Sequence, residues 1–348
     1  MRLLGLLFAA AIAGCAVSSE PDDVGVGDES ALASTSVTEL APIDPDFRRV
    51  NGAVETLLGP PVGAGRRIAA IRALSFAGKR ARLVVDVDSF TTSVVSETAL
   101  AAASTAGSFP DAPYPRSLGA TANSALVAID AEATFAPSVS EPFTLTVDMC
   151  QSSKPFERRL FTWAAGLSDR LRQPVPMGIA MTGGWARAHS GELDEILGLE
   201  RSGKIAITWI NHSSTHPLNC RNASCSDAAF LTASSVDFKE EVLGLERALL
   251  SRNLVPSPIF RFPGLVHDAK RRSELSKLSL MAIDANAWIA KGEQIRPRSV
   301  VLVHGNGNEA VGITGFLKAV ESEPRASALV SGASVLVSPL LIAPTPPR

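Results

Sequence analysis

The sequence predicts an α/β fold for residues 141–340, in which parallel strands alternate with helices. Short apolar runs such as Phe143–Asp148 and Ile205–Ile210 have the length and the β-branched content of buried strands. Stretches with apolar residues at helical spacing lie between them, and Arg158–Leu171 and Ser234–Leu250 are the clearest of these. Because strands that alternate with helices along a chain pair in parallel, we expect either a doubly wound sheet or a barrel.

The other elements of this region follow the same alternation. Strands are predicted at Gly178–Met181, Pro258–Phe262, Ser279–Asp284 and Val300–His304, helices at Ser190–Leu199, Ser273–Leu278 and Glu309–Ala319, and a last apolar run at Ala328–Val337.

The N-terminal segment, residues 1–15, predicts export. It has a basic Arg2, then an apolar run that is too short to span a bilayer, then small residues that end at Cys15. This pattern resembles a bacterial lipoprotein signal, in which the cysteine is lipidated and becomes the mature N-terminus; an ordinary secretory signal is the alternative. Because Ala16 follows, rather than the Asp that resembles an inner-membrane retention signal, we expect a lipid anchor on Cys15 in the outer membrane.

Two further segments precede the α/β region. Residues 16–46 are small, acidic and rich in Ser, Thr and Pro, which predicts a flexible linker. Residues 47–140 predict a small β-rich region of unknown role. In it, Ala81–Val87 and Ser124–Ile129 are predicted strands, Ile68–Leu74 is a helix or a strand, and Ala101–Pro115 is a loop.

Composition excludes one class of partner. The 348 residues have a net charge of −2, so the chain lacks the basic surplus that nucleic-acid binding requires. We therefore expect no nucleic-acid partner.

Polar and ionisable residues follow five of the predicted strands, where functional residues of parallel α/β folds collect. They are Asp148, His212, His216, Arg261, Asp284 and His304. Together they predict a pocket at the carboxyl edge of the sheet.

The histidine pair predicts a metal site. His212 and His216 are four residues apart, which lets two imidazoles point at one ion, and Pro217 keeps His216 out of helical geometry. A zinc-protease helix with the same spacing needs a Glu directly after the first histidine, and Ser213 stands there. We therefore reject that interpretation.

The order of these motifs resembles the polysaccharide deacetylase family, also called the NodB-homology domain, a group of metal-dependent carbohydrate esterases. Thr146–Cys150, Thr-Val-Asp-Met-Cys, is similar to the first family motif, Thr-Phe-Asp-Asp-Gly, and Asn211–Pro217 closely resembles the second, the histidine-pair motif. Arg261–Gly264 resembles the third motif, Asp284 and Trp288 the fourth, and Leu302–His304 the fifth.

The resemblance implies a distorted (β/α) barrel and the hydrolysis of an N-acetyl or O-acetyl group on an acetylated glycan of the envelope or the extracellular space. His212, His216 and Asp148 would hold a divalent metal, for which zinc is the first expectation and cobalt or nickel are alternatives. The resemblance also assigns roles in catalysis and substrate binding. Asp148 is the base, Arg261 orients it, His304 is the acid, Asp284 orients His304, and Trp288 and Pro263 contact the substrate.

One departure from the family pattern opens alternatives. Met149 stands where the family has a second Asp that binds the metal, and a thioether is a poor ligand for a hard divalent ion. Asp148 itself, Cys150 or Glu157 could take that place, or the metal could be weakly held or absent. A catalytically inactive glycan-binding relative is therefore the alternative function, and a metal amidase acting on peptides or small amides is a third.

Three cysteines besides Cys15 bear on the compartment. In an oxidising compartment, Cys150, Cys220 and Cys225 predict one disulfide and one remaining thiol. The sequence leaves all three pairings open.

Overall fold

The computed structural model describes residues 35–125, 141–217 and 229–341. The predicted signal peptide, Cys15, Cys220, Cys225 and most of the predicted strand Ser124–Ile129 lie outside the described residues. Within the described ranges, no helix combines the length and the apolar character needed to cross a membrane.

The N-terminal region is an antiparallel sheet whose strands lie in the order β2-β5-β4-β3-β1-β6. Its elements are β1 (Val37–Val50), β2 (Thr56–Leu58), β3 (Arg67–Phe76), β4 (Lys79–Asp86), β5 (Thr92–Ser96), β6 (Ser104–Ala106) and the helices α1 (Glu97–Ala103) and α2 (Pro113–Thr121). The choice between helix and strand at Ile68–Leu74 is thus resolved as strand β3. Ala77 and Gly78 join β3 to β4 with φ values of 49° and 75°, the left-handed geometry of a tight hairpin turn.

Two boundaries of this region differ from the predictions. Strand β1 begins at Val37, inside the predicted linker, because residues from Val37 to Arg49 pair with β3 despite their Pro and Asp content. The predicted loop Ala101–Pro115 contains the end of α1, strand β6 and the start of α2. Ser96 caps α1, and Pro113 opens α2 at a position where proline is favoured.

The C-terminal region is built on a parallel sheet that curls into a half-barrel, which confirms the predicted distorted (β/α) barrel. Its strands lie in the order β11-β10-β9-β8-β7-β13-β12, and β14 pairs with the start of β7. They are β7 (Glu141–Met149), β8 (Val175–Met181), β9 (Ile205–Asn211), β10 (Ile259–Phe260), β11 (Met281–Ala282), β12 (Ala287–Trp288), β13 (Val300–His304) and β14 (Ser334–Leu336).

Helices connect these strands. They are α3 (Arg158–Leu171), α4 (Gly183–Ala188), α5 (Ser190–Arg201), α6 (Phe238–Ser251), α7 (Ala269–Lys277), α8 (Ala310–Glu321) and α9 (Arg325–Ser331). Helix α6 begins four residues after the predicted Ser234, because the carboxylate of Asp237 accepts the backbone N–H of Glu240 at 3.0 Å and caps the helix there.

Strand β7 has one apolar and one polar face. The apolar face packs in the main core through Phe143, Leu145, Val147 and Met149. The opposite face carries Thr144, Thr146 and Asp148, all buried. Because side chains alternate along a strand, the carboxylate of Asp148 and the side chain of Met149 point in opposite directions.

The N-terminal sheet and the half-barrel share one core and one buried ion pair. Both guanidinium nitrogens Nε and Nη2 of Arg72 on β3 lie 2.7 Å from the carboxylate oxygens of Glu246 on α6, and both side chains are almost fully buried. The hydroxyl of Tyr114 donates to the carbonyl of Ser279, and the hydroxyl of Thr121 accepts the N–H of Ala282 in β11. The N-terminal sheet therefore covers the β11 end of the barrel.

Candidate active site

The candidate site lies at the carboxyl ends of β7, β9, β10 and β13. Asp148 and His304 are direct neighbours in the register of β7 and β13. The N–H of Arg261, directly after β10, donates to the carbonyl of Asn211 at the end of β9. The parallel sheet thus brings four separate segments to one edge, as the sequence predicted for parallel strands.

Asp148 is held by Arg261. Nη1 of Arg261 donates to Oδ1 of Asp148 at 2.8 Å and to the hydroxyl of Thr146 at 2.6 Å, and the guanidinium is fully buried. Burial opposes ionisation of Asp148, but the charges of Arg261, His212 and His304 and the hydrogen bond from Arg261 outweigh it, so the pKa of Asp148 lies below its usual range. The carboxylate is therefore ionised at neutral pH.

His212 is fixed in one tautomer. Its Nδ1 lies 2.8 Å from the carbonyl oxygen of Arg261. A carbonyl can only accept, so Nδ1 carries the hydrogen and Nε2 keeps its lone pair. Nε2 lies 3.7 Å from Oδ2 of Asp148. Burial lowers the pKa of His212, which favours the neutral, metal-binding imidazole.

His216 adds a second imidazole with an unused nitrogen. Its backbone has a φ of 48°, in the left-handed region, which confirms that it stands outside helical geometry before Pro217. Its N–H donates to the hydroxyl of Ser213 at 3.1 Å. Among the described residues, its buried Nε2 has no hydrogen-bond partner, and its ring centroid lies 5.1 Å from that of His212. Burial lowers the pKa of His216 to about 3.

Cys150 completes a possible metal triad. Its Sγ lies 3.6 Å from Nε2 of His212, and one ligand atom each from Cys150, His212 and His216 lies within 4.8 Å of the others, the one such group in the described part of the chain. Cys150 is disulfide-bonded, however, and the other cysteines lie outside the described residues. A disulfide sulfur is not a thiolate, so only the reduced residue offers a full ligand.

Cys150, and not Met149, lies beside the two histidines. Met149 packs in the main core, against Gly305. A side chain at this position of β7 therefore points away from the histidines, whereas Cys150, two residues beyond Asp148, lies beside them. Glu157 contacts Arg159 at 2.9 Å and does not join the group.

His304 contacts a carboxylate that the sequence did not predict. Its Nδ1 lies 2.8 Å from Oε2 of Glu309, and the same oxygen accepts the indole N–H of Trp288 at 2.8 Å. The rings of Trp288 and His304 are 5.9 Å apart, and Trp288 is largely buried.

Asp284 lies at the edge of the group. Its Oδ2 contacts Nε2 of His267 at 3.0 Å, and its backbone carbonyl accepts Nη2 of Arg261 at 3.3 Å. Asp284, which we expected beside His304, is thus paired with His267. Pro263 is buried and opens a short 3-10 helix, Pro263–Leu265, directly after Phe262.

Glu309, which contacts His304, is the residue of this group that sequence reasoning missed. It follows His304 by five residues, across the turn that the sequence predicts between β13 and α8. An acidic residue in the loop that follows a strand ending in histidine was the available signal, because such loops lie at the carboxyl edge of the sheet.

Comparison with known proteins gives similarities of fold. No protein-family model matches the chain. A family 4 carbohydrate esterase from Bacillus anthracis is 15% identical over 58% of this chain and 83% of its own, with a TM-score of 0.38. The chitin deacetylase from Colletotrichum lindemuthianum is 17% identical over 59% and 88%, with a TM-score of 0.40. A family 4 carbohydrate esterase from Streptomyces lividans is 17% identical over 60% and 100%, with a TM-score of 0.39.

Proposed function

We propose that this protein is a metal-dependent hydrolase that removes acetyl groups from an envelope or extracellular polysaccharide. The observation that supports this most is the convergence of Asp148, His212, His216 and His304 on one buried edge of the barrel. Two neutral imidazoles, an ionised carboxylate and a third histidine are the residue types that metal-assisted acyl hydrolysis requires.

The residues present fit a divalent metal. His216 offers a buried nitrogen that has no hydrogen-bond partner in the described ranges, and the tautomer of His212 leaves a lone pair on its Nε2. Asp148, or Cys150 after reduction, would be the third ligand. Zinc suits a site rich in imidazole. A bound metal would polarise the acetyl carbonyl and lower the pKa of a water molecule.

Asp148 acts as the general base. Oδ1 is engaged by Arg261, and Oδ2 lies 3.7 Å from Nε2 of His212, on the side of the imidazoles. Because its pKa lies below its usual range, Asp148 is ionised and accepts the proton of the attacking water through Oδ2. Arg261 keeps the carboxylate in place and charged.

His304 acts as the general acid. It is the register neighbour of Asp148 on β13, so the proposed acid and the proposed base lie side by side at the same edge of the sheet. His304 donates its proton to the leaving amine or hydroxyl oxygen of the sugar as the bond to the acetyl carbon breaks. Acetate and the deacetylated sugar are the products.

Three residues would line the way to this centre. Trp288 lies beside His304, and Pro263 and Asp284 follow β10 and β11 at the same edge. We propose that they contact the sugar that carries the acetyl group.

A second candidate function is glycan binding without catalysis. Two observations favour it: Met149 points into the core, and Cys150 is disulfide-bonded. With the disulfide intact, the metal would have only the two imidazoles and Asp148. If that set holds no metal, the fold keeps a sugar site without the hydrolytic step.

Acetate release from acetylated chitooligosaccharides, acetylated xylan and peptidoglycan tests the proposal. The zinc-loaded protein should release acetate, a chelator should abolish the reaction, and added zinc should restore it. Asp148→Asn and His304→Gln should each lower kcat by about 10²–10⁴-fold. His189→Gln is the matched control, because His189 bonds the carbonyl of Ser152 away from the group.

The outcomes separate the candidate functions. Glycan binding without acetate release, in protein shown to contain metal, supports the inactive relative and overturns the hydrolase. Release of acetate from small amides but from none of the glycans supports an amidase instead.

We also propose that the protein is exported and attached to the outer membrane through a lipid on Cys15, which the sequence of residues 1–15 supports. Cys15→Ser should abolish incorporation of labelled fatty acid and release the protein from the membrane fraction. Fractionation of the unchanged protein with soluble proteins would contradict the anchor.

A further inference from the structure

We infer that Glu309 is the positioning residue of His304, in the role that the sequence motifs assign to Asp284. The inference rests on the proposed function, because it concerns the residue proposed there as the acid. Two contacts support it: the carboxylate of Glu309 lies beside His304, and the carboxylate of Asp284 lies beside His267.

Glu309 meets His304 and Trp288 with one oxygen. Oε2 lies 2.8 Å from Nδ1 of His304 and 2.8 Å from Nε1 of Trp288. The side chains of Glu309 and His304 are 10% and 2% exposed, so water screens the contact little. A carboxylate only accepts, so Nδ1 of His304 carries a hydrogen and Nε2 is the atom that gains and loses the catalytic proton.

The surroundings keep Glu309 charged. Burial alone would raise its pKa, but the contact and charge of His304, the indole N–H of Trp288 and the charge of Lys291 outweigh it and lower the pKa below its usual range. Lys291 lies with Nζ 3.5 Å from the centre of the Trp288 ring. An ionised carboxylate at Nδ1 stabilises the imidazolium form of His304, which is the form that donates a proton.

The backbone explains why Glu309 reaches His304. Glu309 precedes the first residue of α8 but makes no capping hydrogen bond with its side chain. Two hydrogen bonds hold the turn between His304 and Glu309 against the loop after β7. Nδ2 of Asn306 donates to the carbonyl of Cys150 at 2.8 Å, and the hydroxyl of Ser152 donates to Oδ1 of Asn308 at 3.0 Å. These two hydrogen bonds hold the turn so that Glu309, five residues after His304, lies beside the His304 ring.

Asp284 is engaged elsewhere. Its carboxylate lies 3.0 Å from Nε2 of His267, and Nη1 of Arg272 lies 2.9 Å from Nδ1 of the same ring. Because a guanidinium only donates, Nδ1 of His267 accepts, and Nε2–H donates to Asp284. Asp284 and His267 thus form a separate pair.

NMR of the His304 imidazole in the metal-free protein, at one fixed pH, tests this assignment without using activity. Asp148, His212 and His216 interact electrostatically with His304, and Lys291 with Glu309, and all four are the same in the variants compared. Glu309→Gln keeps the size of the side chain and removes its charge, so the deshielded Nδ1 proton signal of His304 should move upfield. Asp284→Asn should leave the His304 signal unchanged and shift the signals of His267.

Steady-state kinetics show separately whether Glu309 affects kcat or KM. Glu309→Gln should lower kcat with little change in KM and should move the pH dependence of kcat, and Glu309→Asp should recover part of both. If Glu309→Gln does not fold, Glu309→Asp replaces it in the NMR comparison, where the shorter side chain should shift the Nδ1 proton signal of His304 by less.

Two results would overturn the inference. One is a His304 Nδ1 proton signal that is unchanged in the Glu309 variants, and the other is a His304 signal that shifts in Asp284→Asn instead. A shifted signal in a protein that releases no acetate would refute the proposed hydrolase but leave the pairing of Glu309 with His304 intact.

Discussion

The carbonyl oxygen of Arg261 lies 2.8 Å from Nδ1 of His212, while the guanidinium of the same residue binds Asp148 at 2.8 Å. One residue at the end of β10 therefore sets the tautomer of a proposed metal ligand and the charge of the proposed base. Its backbone acts on β9 and its side chain on β7, so the site is one connected unit.

Removal of the Arg261 charge should destabilise the fold. In Arg261→Met, Asp148 stays buried without its cation, so the free energy of unfolding should fall by about 3–5 kcal/mol. The double variant Arg261→Met/Asp148→Asn should recover part of this loss, because no charge is left buried. Urea denaturation gives the free energy of unfolding of the unchanged protein and of both variants. A loss in Arg261→Met no larger than that for an exposed ion pair would contradict the coupling of Arg261 to Asp148.

Reduction should strengthen metal binding. A reduced Cys150 adds a thiolate to the two imidazoles, so a phosphine reductant should raise the Zn²⁺ affinity by about tenfold or more, equivalent to about 1.4 kcal/mol. Competition with a chromophoric chelator measures this. In Cys150→Ser, the reductant should no longer change the Zn²⁺ affinity. Cys220→Ala/Cys225→Ala should have the higher affinity of the reduced protein even without reductant. Equal affinities of the reduced and the oxidised protein would argue against a sulfur ligand.

The ion pair Arg72–Glu246 should couple the N-terminal sheet to the barrel. Each single variant, Arg72→Met or Glu246→Gln, leaves a buried polar group unpaired and should cost about 3–5 kcal/mol. Arg72→Met/Glu246→Leu should be more stable than Arg72→Met, because both polar groups are gone. Tryptophan fluorescence and circular dichroism should follow one unfolding transition, since the sheet and the barrel share a core. Two separate transitions in the unchanged protein would contradict this coupling.

Acid should weaken the fold partly through Glu309. Its pKa is lower in the folded state than the ordinary value of 4.5, so the folded state binds this proton less tightly. The contribution of Glu309 to stability is thus complete above 4.5 and is lost as the pH falls through the lower folded value. In Glu309→Gln, the slope of unfolding free energy against pH in this range should be smaller by up to about 1.4 kcal/mol per pH unit. An identical slope in both proteins would show that Glu309 is not held in its charged form.

The sequence predicted the barrel well because strand and helix periodicities are local. Arg158–Leu171 matches α3 and Val300–His304 matches β13, while β7 ends at Met149, one residue beyond the predicted Asp148. Predictions were poorest where tertiary contacts decide. Strand β1 starts in an acidic, Pro-containing stretch because β3 supplies its pairing partners, and no local pattern reveals this.

The structure brings together residues that the sequence named, but their pairings were not predictable. The strand-end rule and the family resemblance named His212, His216, Asp148, Arg261 and His304. Which carboxylate lies beside which histidine depends on the path of loops. The turn after His304 brings Glu309 to it, and His267 takes Asp284, and neither relationship is visible from spacing in the sequence.

Anomalous X-ray diffraction from crystals of the zinc-loaded protein shows whether one cation is shared between the strand ends. We expect one anomalous peak within about 2.0–2.1 Å of Nε2 of both His212 and His216, with a third ligand from Asp148 or Cys150. Absence of a peak between the two imidazoles, in protein shown to be folded and saturated with zinc, would contradict it.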